Sequence, residues 1–181
     1  MPVIDFEDMP GQFDPREHHV FAALVYTQMN RARTRLALES KNKGYKLASY
    51  VSSRAFLWSN VEIGEHCFIF EDNTVQPFVE VGNNVVMWSG NHIGHHSVIR
   101  DNVFFSSHVV LSGYCDVGRN SFMGVNSTVS NNVTIAEDTW LGPGVVILAD
   151  TEAGQFYKPA APKLSSASAY QRFKIEDPGT L

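Results

Sequence analysis

Apolar side chains recur at every sixth position over more than half of this chain. Seventeen consecutive positions of the series, from Val51 to Ile147, all carry an apolar residue. In a chain that is 44% hydrophobic, chance would fill seventeen chosen positions about once in a million trials. A period of six matches neither an α-helix nor a β-strand, so the chain must turn a corner every six residues and return to the same interior.

A second series strengthens this interpretation, because a small or slim side chain lies two residues before most of the apolar positions. Glycine often follows the apolar residue and accepts the backbone angles of a corner. The pattern predicts a triangular prism whose three faces use about eighteen residues per coil, with residues i and i+18 about 4.8 Å apart. Residues 51–148 would form five to six coils of a parallel β-helix, and the repeat alone does not fix its hand.

The flanking segments do not follow the repeat. Residues 1–50 predict a small α/β unit, with a buried strand at 21–26, a helix that Thr27 caps and that runs to about Lys41, and a strand at 45–51. Residues 149–181 predict a loop over the open edge of the last coil, followed by a tail. Cys67 and Cys115 fall in the series of small residues on different faces, which predicts two buried free thiols.

Composition narrows the classes of partner. The formal net charge is −5 and no basic run occurs, which disfavours nucleic acid and anionic membranes as partners. No apolar stretch reaches eighteen residues and the N-terminus lacks the pattern of a signal peptide, so we expect a cytoplasmic protein.

The repeat resembles that of a known superfamily. Aliphatic–glycine pairs at Ile63-Gly64, Val81-Gly82 and Val117-Gly118 are typical of the hexapeptide-repeat acyltransferases, whose prism is a left-handed parallel β-helix. Segments 29–33, 44–55 and 93–99 are similar to the sialic-acid O-acetyltransferase type, which includes N-acetyltransferases of nucleotide-linked amino sugars. The resemblance implies an acetyl-CoA-dependent acetyltransferase that acts on an amino sugar, carried on a nucleotide.

The resemblance also implies catalytic residues. The histidine that acts as general base in that type corresponds to His95, in the segment Ile93–Ile99. The next position commonly holds an acidic residue, and His96 occupies it here, so His96 either polarises His95 or binds substrate. Gly113 lies eighteen residues after His95, one coil further along. In the family the matching glycine donates its N–H to the oxyanion, so the resemblance implies this role for Gly113.

The family's coenzyme lies between neighbouring prisms, which implies a homotrimer. The implied coenzyme contacts are Gly113, Asn131, Gly142, Gly144 and Lys158, and no metal is implied.

Substrate contacts follow from the same resemblance. Asn30 and Arg33 match an Asn-x-x-Arg pattern, and His92 and His108 are further candidate substrate contacts. The glycine-rich phosphate loop of complete relatives is absent, so residues 1–50 resemble a truncated remnant of a nucleotide-sugar domain.

Three other functions stay open. O-acetylation of a sugar or sialic-acid-like acceptor would use the same residues. A zinc enzyme of the β-helical carbonic-anhydrase type would draw its ligands from His92, His95, His96 and His108. A trimeric scaffold without activity would leave the histidine cluster unexplained.

Overall fold

The computed structural model describes residues 3–176 and residue 179. An N-terminal unit contains α1 (Met9–Gln12), β1 (His19–Val20), α2 (Arg31–Asn42) and β2 (Lys46–Leu47), and β1 pairs with β2 in parallel. Seventeen two-residue strands then form the prism, β20 (Phe156–Tyr157) follows, and α3 (Ala169–Phe173) lies in the tail. The prism strands are β3 (Tyr50–Val51), β4 (Phe56–Leu57), β5 (Glu62–Ile63), β6 (Phe68–Ile69), β7 (Thr74–Val75), β8 (Glu80–Val81), β9 (Val86–Met87), β10 (His92–Ile93), β11 (Val98–Ile99), β12 (Phe104–Phe105), β13 (Val110–Leu111), β14 (Asp116–Val117), β15 (Phe122–Met123), β16 (Thr128–Val129), β17 (Thr134–Ile135), β18 (Trp140–Leu141) and β19 (Val146–Ile147).

The prism has the three faces that the repeat predicts. Every third strand belongs to the same parallel sheet, which gives a six-stranded face from β4 to β19, a five-stranded face from β5 to β17, and a seven-stranded face from β3 to β20. Within the prism, partners lie eighteen residues apart, as in His92 opposite Val110. The result is a parallel β-helix, consistent with the left-handed form that the resemblance implies.

The core consists of the two series found in the sequence. Every apolar position from Ile69 to Ile147 is buried, and so is every small position from Cys67 to Val145. Asn73 and Asn91 stack in the series of small residues, and Asn91 Nδ2 donates to Asn73 Oδ1 over 2.8 Å. Val51, at the open end of the first coil, remains 43% exposed because no coil precedes it.

The seven-stranded face carries an aromatic ladder on its outer side, and we call it the aromatic face. Phe122 and Trp140 stack with ring centroids 3.8 Å apart, and Tyr26 of the N-terminal unit packs edge-on against both. Trp140 thus contacts the N-terminal unit through Tyr26. The outward positions of this face from β3 to β18 are Tyr50, Phe68, Val86, Phe104, Phe122 and Trp140, and all of them except Val86 are aromatic.

Three predictions about the N-terminal unit were wrong in whole or in part. Residues 21–26 form no strand, and Leu24 and Val25 are exposed rather than buried. The helix begins at Arg31 instead of after Thr27, because residues 28–30 all adopt left-handed backbone angles that end any helical run. The predicted strand at 45–51 is split into β2 and β3.

The C-terminal prediction was partly wrong. Residues 156–157 form a strand that extends the aromatic face beyond β18, where a loop was predicted. In this pairing Phe156 lies opposite Trp140, only sixteen residues earlier in the chain. The last coil is therefore two residues shorter than the others, and the six-residue series does not predict its strand. The predicted tail contains α3, and its residues 177, 178, 180 and 181 lie outside the described residues. No described helix is long and apolar enough to span a membrane.

Candidate active site

His95 lies at the corner that joins the six-stranded face to the five-stranded face, which we call the histidine corner. The corner places Gly113 one coil further along, directly under the imidazole. A β-carbon added to Gly113 would lie 2.8 Å from His95 Cε1 and 2.9 Å from Nε2. The predicted neighbourhood of His95 and Gly113 is therefore confirmed, and only glycine leaves room for the ring at this position.

A hydrogen bond between the two adjacent histidines orders the site. His95 Nδ1 and His96 Nδ1 lie 3.1 Å apart, and only one of them can carry the shared hydrogen. If His95 donates, its Nε2 is left as the unprotonated nitrogen of the neutral ring. His96 thus hydrogen-bonds His95 from the sequence position that commonly holds an acidic residue in the family that the chain resembles.

Two aromatic residues that the sequence analysis missed enclose His96. Its ring stacks on Phe78 at 4.7 Å with an interplanar angle of 29°, and on Tyr114 at 4.8 Å and 18°. The signal was present in the sequence, because residues 78, 96 and 114 share the eighteen-residue spacing. Gln76 was also missed, and its Oε1 accepts the backbone N–H of His95 over 2.9 Å.

The structure engages the predicted oxyanion donor elsewhere. The backbone N–H of Gly113 donates to Asn131 Oδ1 over 2.9 Å, so in this structure it is already engaged and does not point to an open oxyanion position. The same bond orients the amide of Asn131, whose Nδ2 makes no hydrogen bond within the described part of the chain. Asn131 is exposed and lies one coil beyond Gly113. Asn131 Nδ2 is therefore the candidate donor at this corner, in place of the Gly113 N–H.

The other predicted contacts are spread over the prism. His92 lies on β10, on the outer side of the six-stranded face, between Thr74 and Val110. His108 lies at a different corner, packed over Gly90 so closely that a β-carbon there would come within 2.5 Å of its Nδ1.

The predicted coenzyme residues of the last coils lie near that second corner. Gly142 is buried, and a β-carbon on it would meet Pro159 Cδ at 2.8 Å. Gly144 and Lys158 are exposed. One prism thus does not bring these three residues together with His95.

Asn30 and Arg33, the predicted substrate contacts, are buried between the N-terminal unit and the prism. Arg33 is 1% exposed and donates to the backbone oxygens of Ala22, Asn84 and His66. Burial lowers the pKa of Arg33 to about 10. Asn30 Nδ2 donates to the backbone oxygen of Asn102 over 2.8 Å. These positions do not fit direct contact with a substrate, and both residues instead attach the N-terminal unit to the prism.

His66 belongs to the same attachment. Its Nε2 accepts the N–H of Ala22 over 2.9 Å, which makes Nδ1 the protonated nitrogen that donates to Asn84 Oδ1 over 2.8 Å. Burial and, after it, the charge of Arg33 lower the pKa of His66 to about 4, against the opposing effects of the hydrogen bond to Asn84 and the charge of Glu65. The ring is therefore neutral over most of the pH range.

No group of three or more His, Cys, Asp or Glu side chains within residues 3–176 is arranged to hold a metal ion. The four histidines of the zinc alternative are divided between the histidine corner, the six-stranded face and the corner of His108. A groove of about 840 Å³ runs along the five-stranded face, lined by Glu80, Arg100 and Asp116 among others, and it includes none of the predicted site residues.

Comparison with solved structures identifies the fold. The chain matches a histidine-to-alanine mutant of GDP-perosamine N-acetyltransferase from Caulobacter crescentus, in complex with CoA and GDP-perosamine, with a TM-score of 0.79 and 22% identity over 84% of this chain and 71% of that one. It matches the acetyltransferase domain of PglB from Neisseria gonorrhoeae, in complex with acetyl coenzyme A, with a TM-score of 0.79 and 21% identity over 86% and 74%. The chain shares the fold of these acetyltransferases. The sequence matches no protein-family model.

Proposed function

We propose that this protein transfers an acetyl group from acetyl-CoA to the amine of an amino sugar carried on a nucleotide. One observation supports the proposal above all: a histidine pair lies over a glycine at a corner of the prism. The proteins that share the fold include enzymes solved with CoA and GDP-perosamine or with acetyl coenzyme A.

His95 acts as the general base in this proposal. Its Nδ1 donates to His96, and its Nε2 takes a proton from the sugar amine as the amine nitrogen attacks the thioester carbonyl carbon. The carbon–sulfur bond then breaks, the amide keeps the acetyl group, and the proton on His95 passes to the departing thiolate of CoA. His95 Nε2 is then unprotonated again, and the base is ready for the next cycle.

Asn131 supplies the donor for the oxyanion in this proposal. The N–H of Gly113 holds Oδ1 of Asn131, and this bond fixes the direction of Nδ2. Nδ2 itself has no other partner in the described residues, so it is available to donate to the oxyanion. A preorganised amide donor stabilises the charge that develops on the carbonyl oxygen.

An amine fits the site better than a hydroxyl. A carboxylate next to the base would stabilise the imidazolium that forms during proton transfer, whereas His96 offers only a neutral nitrogen. A hydroxyl must lose its proton earlier in the reaction than an amine, so the exchange of carboxylate for imidazole favours N-acetylation.

We also infer that the active form is a homotrimer. The histidine corner is an open edge in one chain, with Phe78 58% and Tyr114 55% exposed. A neighbouring prism would close this edge and enclose both substrates, with the nearest neighbour bringing its own late coils to the site. Light scattering after size exclusion measures the mass directly, and a monomeric active enzyme would contradict this inference.

The experiment that tests the function is a transfer assay with purified protein. Acetyl-CoA would be combined with GDP-perosamine, with amino sugars on uridine and thymidine diphosphates, and with the hydroxyl counterpart of each. We expect acetylation of at least one amine, detected by mass spectrometry, and an activity loss of about a hundred-fold or more in His95→Gln. Acetylation of hydroxyl sugars alone would replace the proposal with O-acetylation, and full activity in His95→Gln would exclude His95 as the base.

A further inference from the structure

The corner residues of the prism share an unusual backbone. One residue in every six adopts a left-handed conformation, and most of these residues are asparagine, aspartate, histidine or glycine. Phe78 and Tyr114 are the exceptions, with φ of 61° and 59°. Bulky side chains rarely accept this conformation, and strain of this kind tends to lie at functional sites.

Both exceptions flank a single residue. Phe78, His96 and Tyr114 follow one another at intervals of one coil, so that His96 is held on both faces of its ring. His96 is itself exposed, with φ of 57°. An exposed imidazole on a corner would otherwise rotate about its side-chain bonds, and the two rings leave it one plane.

In this orientation the Nδ1 atom of His96 faces His95. The rings of His95 and His96 meet at 88°, with their Nδ1 atoms 3.1 Å apart. Tyr114 also meets the His95 ring edge-on, at 5.1 Å and 89°. The same stack therefore restrains both histidines.

We propose that Phe78 and Tyr114 are positioning residues, which clamp His96 so that its Nδ1 accepts a hydrogen bond from His95 Nδ1 and leaves His95 Nε2 free to take a proton. The proposal rests on the proposed function for its kinetic consequences only. The tautomers that it requires can be measured without substrate.

The first test is nitrogen-15 NMR of the imidazole rings in the full chain, assigned with His95→Gln and His96→Gln. We expect a protonated Nδ1 and a bare Nε2 in His95, and the reverse in His96. In the double variant Phe78→Leu with Tyr114→Leu, both rings should show the averaged signals of exchanging tautomers. Unchanged signals in that variant would overturn the proposal.

The second test separates positioning from binding by kinetics. Tyr114→Leu should lower kcat by up to about a hundred-fold while the KM for acetyl-CoA stays the same, because a displaced base loses alignment and not affinity. Tyr114→Phe keeps the ring and should restore the rate. Asn120→Ala, a left-handed residue at another corner, is the matched control and should leave kcat unchanged.

Stability provides a check on folding. Tyr114→Asn places a residue suited to the left-handed conformation, so this variant should melt no lower than the wild type although its kcat falls. Full kcat in Tyr114→Asn would overturn the positioning role. Absence of transferase activity in the wild type would instead count against the proposed function, and the tautomer measurement would still decide the role of the stack.

Discussion

The imidazole of His95 lies against the α-carbon of Gly113, with room for a hydrogen atom and not for a methyl group. The relationship depends on the eighteen-residue coil, which sets two residues far apart in the chain one strand spacing from each other. It leads directly to a prediction about the base.

Gly113→Ala should displace the His95 ring and lower kcat by about a hundred-fold, because the new β-carbon would lie 2.8 Å from Cε1. Steady-state kinetics measure the loss, and circular dichroism shows that the prism persists. Gly90→Ala is the comparison, since it displaces His108 instead. A larger effect in Gly90→Ala would point to His108 as the catalytic histidine.

Asn131→Asp tests the donating nitrogen of the Asn131 side chain separately from its accepting oxygen. The carboxylate can still accept the N–H of Gly113, yet it offers no donor and adds a negative charge beside the oxyanion. We expect kcat to fall by roughly a hundred-fold or more, with melting temperature little changed. Equal activity in Asn131→Asp and wild type would show that the oxyanion donor lies elsewhere.

Arg33→Lys tests whether Arg33 binds substrate or attaches the N-terminal unit. Lysine cannot reproduce a fork that serves three separate carbonyl oxygens, so urea denaturation should show a loss of about 2 kcal/mol. The KM for the nucleotide sugar should not change. Arg35→Lys is the control, because Arg35 is 67% exposed. A raised KM without loss of stability would restore the substrate-binding role.

His66 should make the stability pH-dependent. Its pKa is about 4 in the folded chain and 6.5 when free, so the unfolded chain binds the proton first as the pH falls. The contribution of neutral His66 to the free energy of unfolding is complete above pH 6.5. Roughly 3 kcal/mol of this free energy should be lost by pH 4. Denaturation at several pH values should show a smaller loss in His66→Gln, whereas His19→Gln should follow the wild type. An identical slope in His66→Gln would assign the loss to other groups.

The two cysteines should resist thiol reagents in the native protein. Burial raises the pKa of Cys67 to about 11 and raises that of Cys115 as well, so neither side chain is accessible or ionised near pH 8. Absorbance assays with an aromatic disulfide should detect no thiol until denaturant is added. Rapid reaction of the native protein would mean that the coils open locally.

The sequence predicted the prism because its repeat is a property of every coil. The buried series from Ile69 to Ile147 leaves no other way to form a core, and the position of His95 over Gly113 then follows from the register alone. The N-terminal unit has no such repeat. Within residues 21–26, Phe21 and Tyr26 pack on the outside of the aromatic face. A run of apolar residues by itself cannot show whether it covers a sheet or belongs to one.

The site was predicted less completely than the fold. Spacing brought His95, Gly113 and Asn131 together, but it could not show that the Gly113 N–H is bound to Asn131. Arg33 lies in a matching motif, and only the structure shows that its charge is directed at backbone oxygens.

The short last coil limits how this molecule can be lengthened. A designer who inserts eighteen residues between two middle coils supplies a rung whose neighbours above and below already match it. The same insertion after residue 148 would separate Phe156 from the edge that it covers. Tandem duplication can thus lengthen the prism only by adding coils in its middle, because β20 must stay next to β18.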